Sequence, residues 1–123
     1  MTINEVLDEV DRIAKNNSID RNQKIKWLDR LDRSIFNDLL QYKKDNIETF
    51  DGYNVDDDED TELLAVAPYD ELYVYYVLAQ INLIQQEIDF YNNNYAMYED
   101  KYRNYRDFIN RTYRTKGRNF IKV

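Results

Sequence analysis

The sequence predicts an all-α fold, a small bundle of about four helices, and two observations carry that prediction. The chain of 123 residues has only two glycines and one proline, whereas turn-rich β folds use many of both to reach positive φ and to preset turns. Apolar residues also recur at spacings of three and four, the period of an amphipathic helix. One domain spanning 1–123 is expected, because domains usually run to about 100–150 residues.

Cap signals mark the first two helices. Thr2 and Glu5 have the spacing of a capping box, and Asp20 repeats the N-cap signal before a second helix that should continue toward Lys44. The first apolar stripe contains Ile3, Val6, Leu7, Val10 and Ile13. The second contains Ile25, Leu28, Leu31, Ile35 and Leu39.

The C-terminal half predicts a long antiparallel helical hairpin. Pro68 suits the first position of a helix, and apolar residues continue at helical spacing as far as Tyr91. The run Asn92-Asn93-Asn94 supplies a break, so we expect a short asparagine turn there. The last helix carries a narrow row of tyrosines: Tyr95, Tyr98, Tyr102 and Tyr105.

Charge is distributed unevenly along the chain. Eleven acids and no base lie between Asp45 and Glu71, whereas eight bases and one acid lie between Lys101 and Val123. We therefore expect an acidic loop or extended excursion at 45–67, between helices 2 and 3, and a basic tail at 115–123. An acidic middle segment and a basic end favour head-to-tail contacts between copies of the chain. The apolar run Leu63–Ala67 could form an extended strip that pairs with another subunit.

Several kinds of chemistry are excluded by composition. The chain has no histidine and no cysteine, which excludes the usual Ser-His and Cys-His pairs and metal sites built from those ligands. The acidic run from Asp56 to Glu62 could attract Ca²⁺ or Mg²⁺, but it lacks the alternating ligands of an EF-hand loop and is interpreted as a solvated loop. We predict no catalytic residue, no cofactor and no metal site, and a carboxylate enzyme would need a cleft that the sequence does not indicate.

No membrane contact is expected, because no stretch approaches the roughly 18 apolar residues of a membrane span, and nothing at Met1–Val10 resembles a secretory signal. The net charge of −7 argues against general nucleic-acid binding.

Two features leave alternatives open. The tyrosine row could pack in the core or form an interface that is buried on assembly. The basic residues Arg111, Arg114, Lys116 and Arg118 could complement a helix dipole in a frayed tail, dock on an acidic partner, or face DNA.

Ordered sequence patterns over about residues 24 to 114 carry a resemblance to a known family. They are Ile25-Lys26-Trp27-Leu28 with Leu31-Asp32; Thr61-Glu62-Leu63-Leu64 with Ala67-Pro68-Tyr69-Asp70-Glu71-Leu72-Tyr73; Glu87-Ile88 with Tyr91-Asn92-Asn93; and Tyr105, Phe108 and Asn110-Arg111-Thr112. In these patterns the chain resembles the small head–tail connector, or adaptor, proteins of tailed bacteriophages. That family often has glycine after the Leu-Asp pair, where this chain has Arg33.

The resemblance implies a virion structural protein of the phage neck rather than an enzyme. It implies a ring, commonly of twelve copies, that binds the portal protein and receives the next neck or tail protein, with DNA nearby in the channel. The protein would be in the host cytoplasm during assembly and in the virion neck afterwards. The segment that would dock on the portal maps onto Asn110 to Val123, with these candidate contacts: Arg111, Arg114, Lys116, Arg118 and Phe120.

We also predict a set of subunit–subunit contacts: Asp56, Asp57, Asp58, Leu63, Leu64, Tyr98, Tyr102 and Tyr105. The alternative function is a helical module that binds nucleic acid or regulates a partner through its basic C-terminus.

Overall fold

The computed structural model describes residues 1–15, 17–43, 49–54 and 60–113, and this part of the chain contains four α-helices. They are α1 (Ile3–Ile13), α2 (Arg21–Asp38), α3 (Glu71–Ile84) and α4 (Ile88–Thr112). A short 3-10 helix at Leu40–Tyr42 follows α2. No strand occurs among the described residues, although Thr2 and Glu62 form an isolated bridge. The predicted all-α bundle is confirmed.

The caps of α1 and α2 form where the sequence predicts them. Thr2 Oγ1 accepts a hydrogen bond from Glu5 N at 3.1 Å, and Glu5 Oε1 accepts one from Thr2 N at 2.9 Å. Asp20 caps α2 by accepting from Asn22 N at 3.4 Å. The predicted end of α2 near Lys44 is wrong, because the helix stops at Asp38 and Lys44 lies outside the described residues.

Buried residues of all four helices form one hydrophobic cluster. Its largest fully buried side chains include Tyr73 of α3 and Tyr105 of α4. The α1 stripe contributes Ile3, Val6, Leu7 and Val10 to this cluster, but Ile13 in the last turn of α1 is about half exposed.

The connection between α3 and α4 lies earlier than predicted. The helix breaks at Gln85–Glu87, and Asn92, Asn93 and Asn94 are helical residues of α4. Gln86 adopts a left-handed φ of +62°, while Glu87 N donates to Asn82 O at 2.9 Å and Gln86 N donates to Leu83 O at 3.2 Å. These two bonds are those of a Schellman motif. The predicted asparagine turn is therefore wrong.

Side-chain contacts show how α3 and α4 are aligned. Glu71 meets Lys101 at 2.9 Å near the start of α3, and Tyr76 meets Tyr98 with ring centroids 5.1 Å apart. Asn82 meets Asn94 at 2.7 Å near the end of α3. The two helices therefore run in opposite directions. With 25 residues against 14, α4 continues well beyond the start of α3.

The segment before α3 differs from two predictions. Pro68 is not the first residue of the helix: it lies in a turn after a cis Ala67–Pro68 bond, and α3 begins at Glu71. The run Leu63–Ala67 does not form a strip that needs another subunit, because Leu63 and Ala65 are buried in the core of this same chain. Leu63 N donates to Met1 O at 3.0 Å, which ties the segment to the start of α1.

Candidate protein-interaction site

The end of the bundle at the α3–α4 connection carries a group of exposed apolar side chains. Ile84, Ile88 and Phe90 are 55%, 54% and 62% exposed, and Leu83 is about half exposed. We call these four residues the apolar tip. Isolated exposed apolar side chains are ordinary on protein surfaces, but a group of them around one connection indicates a surface that binds another molecule.

A groove of about 570 Å³ opens beside the apolar tip, between the end of α1 and the adjoining parts of α3 and α4. Apolar side chains from all three helices line it: Ile13, Leu78 and Phe90. We call it the tip groove. Its volume is in the range of ligand pockets, which usually hold about 300–1,000 Å³.

Three polar residues of the tip groove hydrogen-bond to one another. Asn82 Nδ2 donates to Glu87 Oε1 at 2.9 Å, and Asn94 Nδ2 donates to Asn82 Oδ1 at 2.7 Å. These bonds join both sides of the connection to the second turn of α4. They link the end of α3, the connection and α4 at one side of the groove.

The Schellman motif at Gln85–Glu87 is what places apolar residues at the surface. In one continuous helix, Ile84 and Ile88 would be neighbours on one face, one turn apart. Here Ile84 ends α3 and Ile88 begins α4, and both side chains are more than half exposed. The sequence gives little warning of the break, since glutamine and glutamate are good helix formers.

The tyrosine row of α4 is divided between core and surface. Tyr105 is 1% exposed and belongs to the core, whereas Tyr98 and Tyr102 are half-buried. The rings of Tyr95, Tyr98 and Tyr102 follow one another with centroids 5.5 and 5.9 Å apart. Burial raises the pKa of Tyr98 and of Tyr105 well above the usual range of tyrosine. These hydroxyls stay protonated at neutral pH.

The structure brings together only some of the residues predicted to contact other subunits. Leu63 and Tyr105 are buried in the core of this chain, so neither is available for such a contact in this conformation. Leu64 is half-buried, and Tyr98 and Tyr102 keep an exposed edge. The remaining three, Asp56, Asp57 and Asp58, lie outside the described residues.

Of the residues predicted to contact the portal, the structure describes one. Arg111 is exposed near the end of α4, with its guanidinium 5.8 Å from the centre of the Phe108 ring and 3.5 Å from Tyr69 Oη. The other four, Arg114, Lys116, Arg118 and Phe120, lie outside the described residues. Arg111 is more than 20 residues along α4 from the apolar tip, so the two are separate surfaces.

Sequence reasoning missed a buried carboxylate, Asp32. Its side chain is fully buried and accepts hydrogen bonds from Tyr53 Oη, from Tyr73 Oη at 2.6 Å and from Leu64 N at 3.0 Å. Burial raises the pKa of Asp32 to about 6, although the bonds from Tyr53 and Tyr73 act in the opposite direction. A signal existed, because Asp32 lies four residues after Leu28 and three before Ile35, on the buried stripe of α2.

A second carboxylate of α2 fastens the same connecting segment. Asp29 Oδ1 accepts from Tyr53 N at 2.8 Å, and Arg33, which pairs with Asp29 at 2.9 Å, donates to Asp51 O at 3.2 Å. Gly52 lies over this pair with φ of +91°, where an added Cβ would collide with both side chains. Asp29 and Asp32 thus position the described parts of the connection on α2.

Two further features concern metals and membranes. Among the residues that the structure describes, no three or more acidic side chains converge as a metal site would require. None of the helices in that part of the chain combines the length and the apolar character needed to cross a bilayer.

Comparison of the chain with protein-family models, with curated proteins and with solved structures finds no match.

Proposed function

We propose that the protein is a structural subunit of the neck of a tailed bacteriophage, a head–tail connector that assembles as a ring on the portal and receives the next neck or tail protein. Its work is assembly rather than catalysis. The ordered sequence patterns that resemble the connector family support the phage part of this proposal, and the observation that carries the assembly part is the apolar tip.

The apolar tip favours a protein partner because Ile84, Ile88 and Phe90 are each more than half exposed. Complete burial of an exposed side chain of this size is worth about 1.5–3 kcal/mol, so covering the exposed half of each is worth about 1–1.5 kcal/mol, and the three together contribute to an interface. The tip groove beside them offers a concave place for a partner side chain. A catalytic role would instead need several reactive groups in that groove, and the ionisable residues that line it are Lys15 and Glu87.

The portal contact is proposed for the other end of α4. Arg111 is exposed there, and the ten residues that follow Tyr113 contain four bases and no acid. Basic side chains suit an acidic protein surface. The predicted basic contacts Arg114, Lys116 and Arg118 belong to this proposal together with Arg111.

The experiment mixes the purified protein with the portal of its own phage and images the complex by electron microscopy. A ring of added density on the portal is expected. The variant Arg111→Glu should weaken the complex, and Arg12→Glu, a change of the same charge on an exposed residue of α1, should not. A portal that gains no density contradicts the proposal.

A salt titration separates the connector from a nucleic-acid-binding module. Binding to DNA should weaken steeply as salt rises, with a slope that follows the number of phosphate contacts. A connector should bind the portal without DNA. Tight, salt-sensitive DNA binding with no portal complex would favour the alternative.

A further inference from the structure

The tip groove is open in the isolated chain, and its lining indicates what could enter it. Ile13, Leu78 and Phe90 supply apolar surface, while Asn82, Glu87 and Asn94 are paired among themselves. The other polar residues of the lining are Lys15, Asn17 and Gln85. Apolar side chains on an extended segment could cover the apolar surface and leave the hydrogen bonds among Asn82, Glu87 and Asn94 intact.

The chain itself contains a segment of that character at its C-terminus. Residues 118–123 read Arg-Asn-Phe-Ile-Lys-Val, in which Phe120 and Ile121 lie between two basic residues and Val123 follows the second. An aromatic and two β-branched side chains close together provide the anchors that grooves of this kind bind.

The charges of the body and the tail are complementary. The whole chain has 17 bases and 24 acids. The last ten residues hold four bases and no acid, so their formal net charge is +4. Residues 1–113 hold the remaining 13 bases and all 24 acids, so their formal net charge is −11. Attraction between opposite charges raises the rate at which such a tail associates with residues 1–113 of a copy of the chain. This attraction weakens as salt is added.

The length of the C-terminal tail bears on whether it docks in the groove of its own subunit or in that of another copy. Phe90 and Thr112 are 22 residues apart in α4, which at about 1.5 Å per residue is about 33 Å. From Thr112, a fully extended chain reaches Phe120 after about 26–29 Å. In its own subunit, Phe120 could therefore approach Phe90 only if the tail were close to fully extended. The groove of a second copy carries no such restriction.

From these four observations we infer that the C-terminal segment of one copy, with Phe120 as its anchor, docks in the tip groove of a second copy. The contact is heterologous, since a tail meets a groove, and repetition of it generates a closed ring or an open chain. The inference rests on the proposed assembly role and specifies a contact between neighbouring subunits. It assigns Phe120 to a copy of the same protein, whereas the connector resemblance assigns it to the portal.

The test uses the purified full-length chain without portal, so its failure is distinguishable from failure of portal binding. Self-association is measured by analytical ultracentrifugation over a range of concentrations. Phe90→Ser removes the aromatic wall of the groove, and Phe120→Ser removes the anchor of the tail. Each should weaken association roughly tenfold or more, as loss of a central aromatic anchor usually does. Tyr42→Ser, at an aromatic residue that is 49% exposed on the 3-10 helix, should leave association unchanged.

Mixing the two variants gives the decisive result. The Phe90→Ser chain keeps a working tail and the Phe120→Ser chain keeps a working groove, so the mixture should form one-to-one pairs that neither variant forms alone. Fluorescence of Trp27 and helical circular dichroism check that both variants are folded. Association that survives both substitutions, or that is lost in both and does not return on mixing, overturns the inference.

Discussion

At the scale of single residues, Asp32 is a carboxyl group whose pKa departs from the ordinary value. It is a fully buried carboxylate whose described hydrogen-bond donors are Tyr53, Tyr73 and the backbone of Leu64. Donors of this kind stabilise the ionised form, yet burial has the larger effect and raises the pKa to about 6. The residue that fixes the connecting segment to α2 is therefore also one that titrates in the weakly acidic range.

The raised pKa of Asp32 predicts a dependence of stability on pH. Because the folded state binds this proton more tightly than the unfolded state, the contribution of Asp32 is fully present below about pH 3.8 and is lost as the pH rises through about 6. The difference corresponds to about 3 kcal/mol. Urea unfolding of the wild type and of Asp32→Asn between pH 4 and 7.5 should show that the variant lacks this decline. If the free energy of unfolding varied with pH in the same way for the two proteins, the prediction would be wrong.

The two tyrosines that donate to Asp32 should differ in their contribution to stability. Tyr73 is fully buried, and its hydroxyl also accepts from Ala65 N at 2.7 Å, so Tyr73→Phe leaves a buried N–H unpaired and should cost about 1–3 kcal/mol. Tyr53 is only partly buried, and Tyr53→Phe should cost about 1 kcal/mol or less. The urea midpoints of the two variants at pH 7 compare these costs. A larger drop in the midpoint for Tyr53→Phe than for Tyr73→Phe would be inconsistent with this account.

At the scale of elements, the sequence predicts the starts of α1 and α2 correctly but not the starts of α3 and α4. Thr2, Glu5 and Asp20 act as caps through contacts between near neighbours, and such contacts are readable from short motifs. The α3–α4 connection depends instead on Asn82, which bonds to Glu87 across the turn and to Asn94 on the next helix. Three asparagines in a row suggested a break, but in α4 they are helical because the helix packs along α3 over that stretch.

Substitutions in the asparagine run test where the connection lies. Asn93 is exposed within α4, so Asn93→Ala should raise the free energy of unfolding by about 0.5 kcal/mol through helix propensity. Asn94→Ala gains the same propensity but loses the bond to Asn82, and should lower stability by about 0.5 kcal/mol. Thermal unfolding followed by circular dichroism measures both. If the connection were at the asparagines, Asn93→Ala would destabilise the protein.

At the scale of the whole molecule, the all-α class, the helix count and most of the core could be predicted from the sequence. Periodicity identifies which face of a helix is apolar, and it placed Ile3, Val6, Leu28 and Ile35 correctly in the core. It could not identify the apolar tip or the tip groove, since both depend on where the chain reverses. Nor could it distinguish a core tyrosine such as Tyr105 from a half-buried one such as Tyr98.

The single cluster of buried side chains predicts cooperative unfolding. Leu72 is fully buried, and Leu72→Ala should cost about 2–5 kcal/mol. Ile84→Ala, at a residue that is 55% exposed, should cost far less. In each case Trp27 fluorescence and helical circular dichroism should report the same urea midpoint, because the four helices share one core. Separate midpoints for the two probes would show that part of the molecule unfolds alone.

The unbroken length of α4 links the two ends of the molecule mechanically. Its first turn carries part of the apolar tip, its middle rests on α3 where Tyr98 meets Tyr76, and its last turns hold Tyr105 and Ile109 in the core. A continuous helix is stiff along its axis, so a force on its first turn is transmitted to its later turns. A neighbour that pulls on Phe90 would therefore strain the packing around Tyr105, about 22 Å farther along the axis.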